Sequence, residues 1–133
     1  MDWITDKIAI GNFLDSREAT LLKRTGFRSV LCLDSTIPPV QLDGITRQVV
    51  HLVDEPCCEV KDFLQAVAAL QNLVETSSPV FVHCYAGRSR SVIVVAAWFM
   101  RTTGCSAREA ISKIESKRLI SITPGIERLL EHL

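Results

Sequence analysis

The sequence predicts an α/β domain of three layers, with a mainly parallel central sheet flanked by helices. Three observations carry that reading. Strand-like and helix-like segments are interleaved along the chain, the order that builds a sheet with helices packed on it. Two strand-like runs, Val30 to Leu33 and Val80 to Val82, are apolar without a break, as in strands covered on both faces. From Val80 onward the chain reads strand, tight loop, helix. In such sheets ligands bind beyond the carboxyl ends of the strands.

Taken in order, Lys7 to Ile10 alternates and meets Gly11-Asn12, so it is expected to be a short strand ending in a turn. Asp15 and Glu18 have capping-box spacing, which predicts a helix through Leu22 to about Arg24, stopped by Gly26. Ser29 to Leu33 is a buried strand. Thr36 to Pro39 is a loop, and Thr46 to Leu52, rich in β-branched residues, is a further strand. Val53 to Glu59 is a loop. Val60, Phe63, Leu64, Val67, Leu70 and Val74 then repeat at helical spacing, predicting a helix to about Glu75. Val92 to Met100 is apolar nearly all round, which predicts a buried central helix ended by Gly104. Trp98, Phe99 and Met100 belong to the core on this reading, and Trp3 covers the sheet's edge. Ser106 and Glu109 form a second capping box, and Ala107, Ala110, Ile111 and Ile114 give its helix one apolar face. Thr123-Pro124 reads as a cap with proline first in the helix, before the stripe Ile126, Leu129, Leu130 and Leu133.

The whole chain bounds the function. Its 133 residues are one domain's worth, so 1–133 is read as a single domain. Fifteen basic residues balance fifteen acidic ones, so no nucleic-acid or membrane partner is expected. No apolar run is long enough to span a bilayer, and the first residues lack the apolar core of a secretory signal. Five cysteines, with no C-x-x-C spacing, argue against a disulfide scaffold and a zinc site. A reducing, cytoplasmic location is the expectation.

The chemistry concentrates in His83-Cys84-Tyr85-Ala86-Gly87-Arg88-Ser89-Arg90-Ser91. A loop at a helix start presents backbone N–H groups without helical partners, at the positive end of the helix dipole. That is an anion site, and phosphate suits it. A cysteine at its base adds a thiolate nucleophile.

Cysteine, five residues and arginine, with histidine before and serine after, resembles the signature of the protein tyrosine phosphatase superfamily. Ala86-Gly87-Arg88-Ser89-Arg90-Ser91 and the short chain resemble the dual-specificity phosphatases in particular. Gly26 to Leu33 and Arg118-Leu119-Ile120 are similar to other segments of that family. The resemblance implies that Cys84 attacks phosphorus and forms a phosphocysteine. It implies that Arg90 clamps two phosphoryl oxygens, with a planar fork that lysine lacks. The amides of Tyr85, Ala86, Gly87, Arg88, Ser89 and Arg90 would hold the phosphoryl oxygens. Ser91 would hydrogen-bond the sulfur and help it leave. His83 would brace the loop and help keep Cys84 ionised. The general acid would be an aspartate on a loop some thirty residues earlier. Asp54 fits, with Glu55 and Asp62 as competitors.

No metal or cofactor is implied, because Arg90 and the amides supply the positive charge. A phosphorylated protein is the implied partner, with phosphotyrosine, phosphoserine and phosphothreonine all acceptable to a shallow pocket. Relatives acting on RNA 5′ ends, phosphoinositides or glycans make a non-protein substrate the alternative. A phosphate-binding module with negligible turnover is another. Where the family carries proline-asparagine before its last helix, this chain has Ile122-Thr123. Thr123 would replace the asparagine's support of the loop in part, or serve only as a cap. Cys57, Cys58 and Cys32 are candidate disulfide partners for an oxidised Cys84, or incidental thiols.

Overall fold

The computed structural model describes residues 1–133. A five-stranded sheet forms its middle layer. The strands are β1 (Asp2–Trp3), β2 (Ile8–Gly11), β3 (Ser29–Cys32), β4 (Thr46–Val49) and β5 (Val80–His83), in the order β1-β2-β5-β3-β4. All neighbours are parallel except β1, which runs antiparallel to β2. The most apolar strand, β5, is central, with Val82 beside Ile10 on one side and Leu31 on the other.

Side chains alternate across the sheet with the period of two that strands impose. Ile8, Ile10, Leu31, Val80 and Val82 join the main core. Ala9, Val30 and Phe81 join a smaller cluster with Leu22 and Phe27. Four helical segments cover the main face: α3 (Val60–Ser77), α4 (Arg90–Thr103), α5 (Ala107–Glu115) and a 3₁₀ segment, Ile126–His132. The thinner outer layer contains α1 (Phe13–Ser16) and α2 (Ala19–Thr25), and Leu22 of α2 seals the sheet. Phe63, Leu70, Ile93 and Ile114 are almost wholly buried, and each contributes about 1.5–3 kcal/mol. The three-layer, mainly parallel architecture is therefore the one the sequence predicts.

Some boundaries differ. The first capping box is made by Asn12 and Asp15, not Asp15 and Glu18. Asn12 Oδ1 accepts from the Asp15 amide at 2.9 Å, and Asp15 Oδ2 accepts from the Asn12 amide at 3.0 Å. Asp15 is thus the closing partner of a box that starts one turn earlier. Gly26 does end α2, in the left-handed conformation. β4 stops at Val49, before the predicted Leu52, although the buried Val50 and Leu52 still donate their amides to Cys32 O and Leu33 O. β1 has no periodic sequence signal. Its Trp3 stacks on Phe27 at 5.0 Å between ring centroids.

The box of Ser106 and Glu109 forms as predicted. Thr123 caps no helix, since Gly125 is the residue before the last helical segment. That segment is 3₁₀, whose three residues per turn stack Ile126 on Leu129. No helix is long and apolar enough to cross a membrane.

Beyond the strand ends the chain keeps its lateral pairing. The Leu33 amide donates to His83 O at 2.9 Å, and the Leu52 amide donates to Leu33 O at 3.0 Å. The loops after β3, β4 and β5 therefore lie side by side, on the edge where a parallel sheet binds ligands.

Candidate active site

The loop between β5 and α4 wraps one wall of a cavity of about 440 Å³. Its backbone is turned one way. The carbonyl of Tyr85 accepts from the Phe13 amide at 2.8 Å, and that of Arg88 from the Ser121 amide at 3.0 Å. The carbonyl of Ser89 accepts from the Ile93 amide at 2.9 Å. Arg118 takes two more: Nε donates to Gly87 O at 2.7 Å and Nη2 to Ala86 O at 3.4 Å. With these carbonyls held by the body of the protein, the peptide planes turn their N–H groups the other way. None of the amides of Tyr85, Ala86, Arg88 and Ser89 is taken by a backbone carbonyl.

Gly87 makes the tight part of the curve possible. Its φ is +69°, and a Cβ there would collide with the Gly11 carbonyl. Its amide donates to Cys84 Sγ at 3.3 Å, and Ser91 Oγ lies 3.4 Å from the same sulfur. Cys84 is 2% exposed, at the floor of the cavity.

Arg90, the first residue of α4, reaches across to the other two loops. Its Nη1 donates to Leu52 O at 3.0 Å, and its Nη2 donates to Asp34 Oδ2 at 3.1 Å. Its Nε is the one buried side-chain nitrogen or oxygen in the chain without a partner. A buried, charged donor left open is costly unless a ligand fills it.

Asp34 also lines the cavity. Burial pushes its carboxyl up, but hydrogen bonds from Thr36 and the Arg90 charge outweigh that and hold it below the usual range. His83 lies behind the loop, with Nδ1 3.3 Å from Cys84 O. Burial pushes its pKa down to about 4. The imidazole is therefore uncharged at neutral pH, and any support it gives Cys84 comes through hydrogen bonding, not positive charge.

Of the residues singled out from sequence, Cys84, Tyr85, Ala86, Arg88, Ser89, Arg90 and Asp54 line the cavity. Gly87, Ser91 and His83 stand behind that surface. Glu55 is turned toward Cys57, whose thiol lies 3.4 Å from its carboxylate. Asp62 sits in the first turn of α3. Neither lines the cavity. All five cysteines are free, and burial raises the thiols of Cys32 and Cys58.

Three contributions were missed from sequence. They are Asp34 as the partner of Arg90, Arg118 as the clamp on the loop's carbonyls, and Ser121 on the rim. Asp34 carried a usable signal, since it follows a buried strand at its carboxyl end.

The chain is similar over most of its length to known proteins. A dual specificity protein phosphatase 1 of Arabidopsis thaliana is 26% identical over 98% of this chain and 67% of its own length. The dual specificity protein phosphatase 15 of Rattus norvegicus is 30% identical over 92% of the chain and 52% of its own length. The chain thus spans between half and two thirds of these relatives. Human DUSP28 superposes with a TM-score of 0.89 at 23% identity, covering 99% of this chain and 94% of that one. A mouse dual specificity phosphatase complexed with zinc tungstate superposes equally well, with a TM-score of 0.89 at 25% identity, covering 98% and 84%. The model of the dual specificity phosphatase catalytic domain matches residues 10–132, and the chain belongs to that family.

Proposed function

We propose that the chain hydrolyses phosphomonoesters on phosphotyrosine and on phosphoserine or phosphothreonine proteins, through a phosphocysteine at Cys84. One observation carries the reading. The loop's carbonyls are held outward around Cys84 while the amides of Tyr85, Ala86, Arg88 and Ser89 are left open, and Arg90 Nε beside them has no partner. A phosphoryl dianion supplies the acceptors that all of these donors lack. Tungstate, a tetrahedral oxyanion like phosphate, is bound by the mouse relative.

In the first step the Cys84 sulfur attacks phosphorus and the bond to the leaving oxygen breaks. Asp54, on the cavity wall, gives that oxygen its proton. Arg90 Nε and a free N–H of the same guanidinium hold two equatorial oxygens, and the amides hold the rest as charge develops. In the second step water attacks phosphorus, Asp54 takes its proton, and the S–P bond breaks. The Ser91 hydroxyl, 3.4 Å away, stabilises the departing thiolate. No step calls for a metal. Five free thiols fit a reducing, cytoplasmic setting.

The test is rapid acid quench of the protein mixed with an aryl phosphate, read by mass spectrometry. One phosphoryl group on Cys84, and no turnover by Cys84→Ser, are expected. Saturable binding without turnover would make the chain a phosphate-binding module. Turnover of a phosphoinositide or an RNA 5′ end far above that of phosphopeptides would move the substrate outside proteins.

A further inference from the structure

We propose that Thr123 is a positioning residue for proton transfer: it holds one oxygen of Asp54 so that the other carries the proton. The proposal rests on reading Asp54 as the general acid.

Asp54 lies on an exposed loop, and its carboxylate has one hydrogen-bond partner, the Thr123 hydroxyl, which donates to Oδ1 at 2.7 Å. The backbone of Thr123 is fixed independently. Its amide donates to Ser89 Oγ at 2.9 Å, inside the phosphate loop. Two residues earlier, the Ser121 amide donates to Arg88 O at 3.0 Å. Arg128, five residues later, donates from Nε to Pro56 O and from Nη2 to Cys58 O, both at 3.0 Å. One short stretch of chain therefore ties the loop of Cys84 to the loop of Asp54. Thr123 is the point where side chain and backbone face the two loops separately. A threonine suits the position because its β-branch leaves few rotamers, so the hydroxyl is aimed in advance.

The consequence is chemical. With Oδ1 accepting from Thr123, the proton for the leaving group resides on Oδ2. When the phosphorus–oxygen bond breaks, that proton moves to the leaving oxygen and Asp54 becomes a carboxylate. The Thr123 hydroxyl, still donating to Oδ1, stabilises the new charge. When water attacks the phosphocysteine, its proton passes to Oδ2 and the S–P bond returns its electrons to sulfur. Asp54 ends as it began. An acid left to rotate on an exposed loop would spend little time in reach of the leaving oxygen, and alignment of this kind governs rate steeply.

The test compares an aryl phosphate with a good leaving group, p-nitrophenyl phosphate, and one with a poor leaving group, phenyl phosphate. The variants are Thr123→Val, Thr123→Ser, Asp54→Asn and the double variant Thr123→Val/Asp54→Asn. Thr123→Val should lower kcat/KM about tenfold on phenyl phosphate, the worth of one hydrogen bond to a charged group, and far less on p-nitrophenyl phosphate. Thr123→Ser should restore the rate, and Thr123→Val should add nothing in the Asp54→Asn background. Equal slowing on both substrates, or the full loss persisting in that background, overturns the proposal and assigns Thr123 to the phosphate loop alone. Asp54→Asn is read separately: if it shows no leaving-group dependence, the acid itself is misassigned. The ratio of the two rates within one preparation is independent of the folded fraction, so a poorly folding variant still decides.

Discussion

Asp34 and Arg90 form an ion pair of 3.1 Å, with side chains only 9% and 8% exposed. They are 56 residues apart in sequence and meet because the loops after β3 and β5 share one edge of the sheet. Thr36 donates to the other Asp34 oxygen twice, from its amide at 2.9 Å and its hydroxyl at 2.5 Å. The carboxylate is thus fixed before it meets the guanidinium. Arg90 is held by its two terminal nitrogens, and Nε is left for a ligand.

Asp34→Ala removes one partner of a buried pair and leaves a charge behind. Such losses cost about 3–5 kcal/mol of stability. Phosphate binding should fall as well, because nothing then fixes the plane of the guanidinium. Asp34→Asn keeps the shape and should fall between. Denaturant unfolding and competitive inhibition by inorganic phosphate measure the two effects. An Asp34→Ala protein that binds phosphate as tightly as the parent would rule out this role.

Arg118 acts on the same loop from outside. Its guanidinium joins Gly87 O, Ala86 O, Ile10 O and the Asp2 carboxylate. A lysine has no planar fork to span four acceptors. Arg118→Lys should therefore lower kcat/KM at least tenfold on any aryl phosphate, whatever its leaving group. Asp2→Asn should matter little, because Asp2 is 44% exposed and surface pairs contribute about 0–1 kcal/mol. Steady-state kinetics on both variants checks this. A larger loss from Asp2→Asn would mean that β1, not the carbonyl clamp, is the important contact.

What could be read from the residues and what could not divide along physical lines. The long α3 was legible because its apolar spacing repeats over many residues, and the buried strands and the central α4 because their apolar runs are unbroken. The loop from His83 to Ser91 was legible because its chemistry needs fixed spacings. The pairing of Asp34 with Arg90 was not, because long-range contacts leave no periodic trace. Of the two readings of Thr123, support of the loop holds in part, through its amide on Ser89 Oγ, and the cap reading fails for a related reason. A threonine before proline is a common cap, and only the folded chain brings it to Asp54. The first capping box slipped by one turn because Asp15 can open a box or close one.

His83 gives a pH prediction. Its pKa is about 4 in the fold, from burial first, against about 6.5 in the unfolded chain. As pH falls below about 6.5 the unfolded chain takes a proton that the folded protein refuses. The associated stability is complete above about 6.5 and is lost as pH drops toward 4, up to about 3 kcal/mol. Asp34, held below its usual range, loses its contribution only at lower pH. Denaturant unfolding at pH 7.5 and 4.5 should show a steep fall in the parent and a shallower one in His83→Gln. Equal slopes in the two proteins would mean that His83 titrates normally.

Gly87 is where the loop's shape has no alternative. Its positive φ costs any other residue about 1–2 kcal/mol. That alone is tolerable. The larger obstacle is steric, because the Cβ of an alanine would meet the Gly11 carbonyl at the end of β2, and would lie 2.7 Å from Arg118 Nη2. The Arg118 side chain could move, but the sheet carbonyl cannot. The phosphate loop must then shift, taking the amide that touches the Cys84 sulfur with it. Gly104 is the control, with φ +73° and nothing within 4 Å of the place an alanine's methyl would occupy. Gly104→Ala should cost about 1–2 kcal/mol of stability and leave kcat/KM unchanged. Gly87→Ala should lose kcat/KM a hundredfold or more and lower Tm further than Gly104→Ala does. If both variants keep parental activity, the curve of the loop does not depend on Gly87, and its amide is not what holds the sulfur in place.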